Sequence, residues 1–269
     1  MNAPLTEKPE AWHEARRGGI GGSDANILMG GDAAAIEQMW LEKRGEAEPV
    51  SLLDVLPVQI GVATEALNIA WFERKTNRPC TVHPDPFVSA DHPFMRANVD
   101  AMTDNGCAVV ECKHRRFNFN MADSLAKYQP QLTHNMIVLG VRDAYLSVFF
   151  GTDTWECAHV TLDPFYAEAL IERESEFWRC VQSGERPAEL PPIAAPVPPE
   201  EWVKVDMTGN NEWADAASRY SANAGPAKDF AQAQKDLKAL VPDEAGEATG
   251  HGVRIKRAKN NSLRISEVK

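Results

Sequence analysis

Three features predict that this 269-residue chain folds as a mixed α/β protein of the α+β kind, with a small mixed β-sheet flanked by helices. The chain starts with successive helical stretches that run to residue 74. After Cys80 come short β-branched runs, two of them split by the turn signal Asp104-Asn105-Gly106. Composition is the third feature: 43% hydrophobic and 25% charged residues suit one substantial core and a small appendage.

Residues 23–29 and 33–44 read as short helices, and residues 51–74 as a longer one with Pro57 near its start. The runs PCTVHPDPFVSA, FMRANVDAMT and CAVVECK predict a β-meander. Residues 128–139 return to helix, residues 144–151 and 156–162 read as strands, and Asp163 supplies the N-cap of a helix reaching Gln182. These elements make up a first domain, residues 1–185. The proline density of RPAELPPIAAPVPPEEW favours extended polyproline conformation and places a linker at residues 186–200. Residues 201–269 form the C-terminal appendage. It holds a helix over 212–240, broken near Gly225-Pro226, and a basic hairpin in VRIKRAKNNSLRISEV around Asn260-Asn261.

Composition also excludes some classes. No run approaches the roughly 18 apolar residues of a membrane span, and the opening MNAPLTEKPEAW lacks the basic-then-apolar profile of a secretory signal. A cytoplasmic protein with no membrane partner is expected. Five cysteines, an odd number with no Cys-x-x-Cys pair, argue for reduced thiols rather than a disulfide framework or structural zinc. A net charge of −11 argues against coating nucleic acid with the whole surface. The charge is uneven, however: residues 251–269 carry +5, leaving −16 on residues 1–250. An acidic body still binds DNA when its basic groups line one channel, and bunched carboxylates suit a metal site.

The segment from Val99 to Lys113 carries the chemistry. With the turn centred on Asn105, antiparallel partners have indices summing to about 210 to 211, so Asp100 falls across from Val110 or Glu111. Glu111 and Lys113, two apart on a strand, face the same side. Two convergent carboxylates hold Mg²⁺ or Mn²⁺, and a nearby lysine can orient or deprotonate a water, which is equipment for phosphodiester hydrolysis. A solvated surface hairpin or a plain cross-strand ion pair has the same spacing. Glu65 shares a helical face with Asn68 and Phe72, offering a third acid, and Tyr128 and Gln131 share a face that could support the lysine or a phosphate oxygen. The basic run after Lys113 includes Arg115 and Arg116, either DNA contacts or a solvated loop.

Near the start, WHEARRGGIGGSD suggests a phosphate site. It follows no buried strand and contains neither G-x-G-x-x-G nor a Gly-Lys-Ser/Thr ending, which argues against a nucleotide-binding loop. Its glycines allow close backbone approach, and Ser23 is expected to cap a helix whose amino end, with Arg16, faces an anion.

In order, the motifs R-x-G-G-I-G-G-S from Arg16, G-x-x-x-E ending at Glu65, Asp100, V-E-C-K ending at Lys113, and Y-x-x-Q-L from Tyr128 resemble those of the YqaJ-like viral recombinases. These are relatives of the phage lambda exonuclease within the PD-(D/E)XK nuclease superfamily, whose core is restriction-endonuclease-like. The resemblance spans residues 12 to about 182. It implies that Asp100, Glu111 and the main-chain carbonyl of Cys112 coordinate Mg²⁺, with Glu65 completing or bordering the site. It further implies that Lys113 assists the attacking water while Tyr128 and Gln131 position that lysine or the scissile phosphate. Trp12, Arg16 and Ser23 reproduce the spacing with which the lambda enzyme contacts a DNA 5′-phosphate. Ala101 stands where the family often has Gly, and Arg44 is the candidate for a second DNA-contacting arginine. The implied activity is 5′→3′ digestion of linear double-stranded DNA by a ring-shaped homotrimer, partnered by a phage single-strand annealing protein. A restriction-like or repair endonuclease, or a DNA-end-binding module without catalysis, are the alternatives.

Overall fold

The computed structural model describes residues 14, 16–196, 208–241, 245–251, 253–257 and 263–267. The chain divides into two compact units, Met1–Pro198 and Pro199–Lys269.

In chain order the first unit has β1 (Ile20–Gly21), α1 (Gly22–Gly30), α2 (Ala33–Arg44), α3 (Leu56–Thr76), β2 (Phe87–Val88), β3 (Met95–Ala97) and β4 (Ala101–Thr103). Then follow β5 (Ala108–Arg115), α4 (Met121–Leu139), β6 (Asp143–Phe150), β7 (Thr154–Thr161) and α5 (Pro164–Ser183). The main sheet has the order β4-β5-β6-β7, with β5 and β6 parallel and α4 as their crossover. A smaller sheet has the order β1-β3-β2.

The expected meander is therefore not formed. FMRANVDAMT splits into β3 and β4, and the chain changes sheets across Asn98-Val99-Asp100. PCTVHPDPFVSA pairs only at the Thr81–Met102 bridge and at β2, because Pro79, Pro84 and Pro86 have no N–H to give a ladder. The long helix starts at Leu56 rather than at residue 51, with Pro57 in its first turn, where a missing N–H costs nothing. As expected, Asp163 caps α5, accepting the Tyr166 N–H at 2.8 Å.

The two faces of the main sheet bury different helices. Val109, Leu146 and Val148 share a core with Ala25 of α1, Leu132 and Met136 of α4, and Leu170 of α5. On the other face Val110 and Cys112 meet Ile69 and Phe72 of α3. A further cluster, including Leu28, Met39, Trp40 and Phe177, joins α1, α2 and α5. At the α4–α5 contact, His134 and Glu174 are both fully buried; His134 Nδ1 lies 2.8 Å from Glu174 Oε1, and Nε2 lies 2.9 Å from the Arg96 carbonyl. All five cysteines are free thiols, and no helix among the described residues is long and apolar enough to cross a membrane.

The start of the proline-rich stretch lies along this unit. Ile193 N–H donates to Met29 O at 2.9 Å, and the Pro191 carbonyl accepts from Arg173 at 3.0 Å. Prolines cannot donate, but their carbonyls and the intervening N–H groups still tether the segment. Residues 197–200 of the expected linker lie outside the described residues.

The second unit has α6 (Asn211–Ala239), β8 (Glu247–Gly250), β9 (Val253–Arg257) and β10 (Leu263–Glu267). Helix α6 runs uninterrupted through Gly225 and Pro226, contrary to the expected break. A proline withdraws one N–H from the ladder, and 29 residues leave ample bonding on either side. Strands β9 and β10 pair antiparallel as a hairpin whose Asn260-Asn261 lie outside the described residues. Strand β8, not foreseen, adds Glu247 at 3.4 Å from both Arg254 and Lys256, offsetting part of the basic charge.

Candidate active site

The turn after β4 has left-handed conformations at Asp104 (φ 53), Asn105 (φ 58) and Gly106 (φ 85), and Arg78 clasps the Asp104 carboxylate at 2.6 Å. This geometry sets the register: Ala101 pairs with Val110, so Asp100 comes opposite Glu111. Because β4 covers β5 only as far as Val110, the Cys112 N–H is met instead by the Asp100 carboxylate, at 2.7 Å from Oδ2.

Glu111 and Lys113 share a side of β5, and Lys113 Nζ lies 2.5 Å from Glu111 Oε1. The same carboxylate, only 2% exposed, accepts Gln131 Nε2 at 2.7 Å and Asn135 Nδ2 at 3.2 Å. Gln131 thus holds the acid rather than the lysine. Tyr128 attends the lysine, its ring centre 5.1 Å from Nζ. On the opposite face Asn68 donates to the carbonyls of Lys113 (3.1 Å) and Ser147 (3.2 Å), locking α3 to β5 and β6 one turn after Glu65.

The electrostatics follow from burial. Glu111 is pushed up to about 7, first by burial and then by the Asp100 charge. Burial also raises Asp100 and, joined by the Asp100 charge, the half-buried Glu65. For Lys113 burial alone would lower the pKa, but Glu111 and Asp100 outweigh it and hold it above the ordinary lysine value. Three acids thus share one ammonium, a deficit of positive charge that a divalent cation would fill. The donors are all oxygen, which suits Mg²⁺. Among the described residues no three His, Cys, Asp or Glu side chains are gathered into a ready cage; Glu65 lies near enough to Asp100 and Glu111 for their charges to act on one another.

Arg115 turns back onto Phe119 (3.9 Å) and donates to Ser124 Oγ at 3.3 Å, while Arg116 is exposed beyond the strand. At the chain start Arg16, its side chain 45% exposed, lies 3.1 Å from Asp24 Oδ1. Lys43 Nζ lies 2.6 Å from Asp24 Oδ2 and donates to the carbonyls of Gly19 (2.6 Å) and Arg16 (3.0 Å). Burial pushes the Asp24 pKa up, but Lys43 and Arg16 outweigh it and hold the carboxyl below its ordinary value. Ser23 does not cap α1. Gly21 occupies that place, its N–H bonded to Asp24 Oδ2 at 2.9 Å, and Ser23 is exposed in the first turn. Arg44 is tied to Glu46 and to the Val181 carbonyl, and Trp12 lies outside the described residues.

Two glycines of the opening motif are there for close approach. A Cβ on Gly19 would lie 2.6 Å from the Phe94 carbonyl, and one on Gly22 would lie 2.6 Å from Asn135 Oδ1 and 3.0 Å from Gln131 Cγ. Bare backbone at Gly22 lets α1 sit against α4, where Asn26 Oδ1 accepts the Gln131 N–H at 3.0 Å. Sequence reasoning missed Asn26, Asn135 and the Asp24–Lys43 pair. Asn135 had a signal, standing four residues after Gln131 on the same helical face.

Residues 11–142 match the family described as YqaJ-like viral recombinase domain. Over 222 residues the chain is 29% identical to the uncharacterized protein YqaJ of Bacillus subtilis (strain 168), covering 78% of this chain and 68% of that one. Among solved structures, an alkaline exonuclease (LHK-Exo) from Laribacter hongkongensis aligns with a TM-score of 0.54 at 15% identity, over 66% of this chain and 94% of that chain. LHK-Exo in complex with dAMP gives the same values. At this identity the likeness shows a shared fold.

Proposed function

Because residues 11–142 match the YqaJ-like viral recombinase domain, we propose that this chain is a Mg²⁺-dependent 5′→3′ exonuclease of that family acting on linear double-stranded DNA. It leaves 3′ single-stranded tails for phage-type annealing recombination. The carrying observation is half-buried Asp100 opposite buried Glu111, with Lys113 2.5 Å from Glu111, set where β4 stops and the edge of β5 opens.

Asp100, Glu111 and the Cys112 carbonyl are the groups that would hold Mg²⁺ or Mn²⁺, with Glu65 bordering them. When bound, the cation supplies Lewis acidity and offsets the charge on the phosphate. Lys113, beside Glu111 at 2.5 Å, stands where it can orient the attacking water and stabilise developing negative charge. Gln131 and Asn135 hold Glu111 in place, and Tyr128 holds Lys113. At the amino end of α1, Arg16 and Ser23 would receive the 5′-phosphate. Asp24 retains Lys43 as a partner when Arg16 turns to that phosphate. Arg115 and Arg116 would meet the DNA backbone near the exit of β5. A homotrimeric ring with an acidic exterior and a basic lumen would reconcile DNA binding with the −11 charge. A single-strand annealing protein in the cytosol of a phage-infected or prophage-bearing bacterium is the expected partner.

Duplex DNA labelled at either end tests this reading. With Mg²⁺ the 5′ label is released first as mononucleotide, a covalently closed circle stays intact, and Lys113→Ala abolishes release. Earlier 3′-label release, or efficient cutting of the circle, refutes the exonuclease assignment.

A further inference from the structure

A groove of about 620 Å³ lies along α3, beside the face that carries Asn68 and Phe72. Helix α3 contributes Leu67, Trp71 and Lys75, and the sheet contributes His114, Phe149 and Trp155. The aromatic rings are held in place rather than loose. Trp155 donates its indole N–H to Ser147 Oγ at 2.8 Å, while Trp71 and His114 meet Phe149 edge-on at 6.4 and 6.1 Å. Arg74 and Lys75 lie 5.5 and 5.2 Å from the Trp71 ring centre. The Trp71 indole N–H is almost fully enclosed and has no acceptor. Asp153 is the carboxylate on the groove lining, against the cations of Lys75 and neighbouring Arg74.

The groove adjoins the candidate active site. Thr64 lines it while the next residue, Glu65, faces the acids; His114 lines it while the preceding residue, Lys113, bonds Glu111. Thr64 Oγ1 and His114 Nδ1, 3.2 Å apart, form the wall between the two. One residue of helix and one of strand therefore separate the catalytic acids from an aromatic, cationic cleft in a chain of net charge −11.

We propose that this groove binds unpaired DNA, with bases stacking on Trp71 and Trp155 and phosphates meeting Arg74 and Lys75, so that a separated strand is held beside the site of hydrolysis. Aromatic rings interleaved with cations suit single strands, since every base has a face to stack and every link a charge. The proposal rests on the nuclease reading above for its substrate class.

The test is titration of the full chain, in EDTA so that nothing is cut, with a fluorescein-labelled oligothymidylate, read by anisotropy and by tryptophan quenching. Trp71→Leu should weaken binding roughly tenfold, as for the loss of one stacked base, and reduce the quench. The surface double variant Arg74→Ser/Lys75→Ser should flatten the salt dependence of binding. A folded Trp71→Leu chain that binds like wild type overturns the proposal. If Trp71→Leu fails to fold, the surface variant decides, and an unchanged affinity and salt slope overturns it. Altered sedimentation with unaltered oligonucleotide affinity also overturns it, marking the groove as an interface between copies. Wild type that digests duplex DNA with Mg²⁺ yet ignores the oligonucleotide removes the groove alone. Trp71-dependent binding without digestion upholds the groove and removes the nuclease reading.

Discussion

Gly22→Ala places a methyl group 2.6 Å from Asn135 Oδ1 and 3.0 Å from Gln131 Cγ. Relief to a carbon–oxygen separation of about 3.3 Å requires a shift of roughly 0.7 Å. The atom in the way is the end of a side chain, but a fully buried one whose amide nitrogen bonds Glu111 Oε2. Overpacking of this kind costs about 1–3 kcal/mol, and the reduced freedom of the unfolded chain returns about 0.4–1 kcal/mol. A net loss of about 1–2 kcal/mol should lower the melting temperature by roughly 2–8 °C for a unit of this size. On the proposed function, activity should fall further, up to about 100-fold, because the displaced amide moves the Glu111 carboxylate by a large fraction of an ångström. Melting temperature and initial rates of nucleotide release, taken well below the melt, measure the two effects. Asn135→Ala vacates the contested space, so in that background Gly22→Ala should be nearly harmless, a coupling of about 1 kcal/mol or more. Stability costs of the two substitutions that add to within about 0.5 kcal/mol would refute this reasoning.

Asp24→Ala strands the buried Lys43 and should cost about 3–5 kcal/mol by urea denaturation, whereas Asp24→Leu with Lys43→Met should recover most of it. His134 and Glu174 both have raised pKa values in the fold, so the folded state binds more protons than the unfolded chain. For His134 burial lowers the pKa, but Glu174 and the Arg96 carbonyl outweigh it. The contribution of His134 should therefore be complete below its ordinary value of 6.5 and fade as pH rises through the higher folded value, while that of Glu174 should be complete only below its ordinary 4.5. The melting-temperature gap between wild type and His134→Gln should narrow accordingly, and a gap constant from acid to alkaline pH would count against a charged pair. Chelation should abolish DNA digestion, with Mg²⁺ or Mn²⁺ restoring it. Mg²⁺ should also raise the melting temperature of wild type but not of Asp100→Asn/Glu111→Gln, since only the charged acids bind it.

Much of the site was legible because it is local. The turn at Asp104–Gly106 and the alternation of β5 suffice to bring Asp100 against Glu111 and to put Lys113 on Glu111's side. Helical spacing likewise placed Glu65, Asn68 and Phe72 on one face of α3. The meander failed where β-branched content was uninformative about which sheet a run would join. Ser23 failed as a cap because Gly21 and the buried Asp24 settle the start of α1 together, and the value of that acid depends on Lys43 nineteen residues on.

The acid, acid and lysine constellation follows from the order of residues alone, since strand and turn periodicities act over a few residues and leave little choice of register. It takes the folded chain to turn the amides of Gln131 and Asn135, 20 and 24 residues from Glu111, onto that carboxylate, to seat Gly22 of α1 against them, and to enclose an aromatic groove between α3 and the sheet. Periodicity states which face a residue occupies. What that face meets is settled by burial and by the pairing of every enclosed polar group, which the whole chain determines at once.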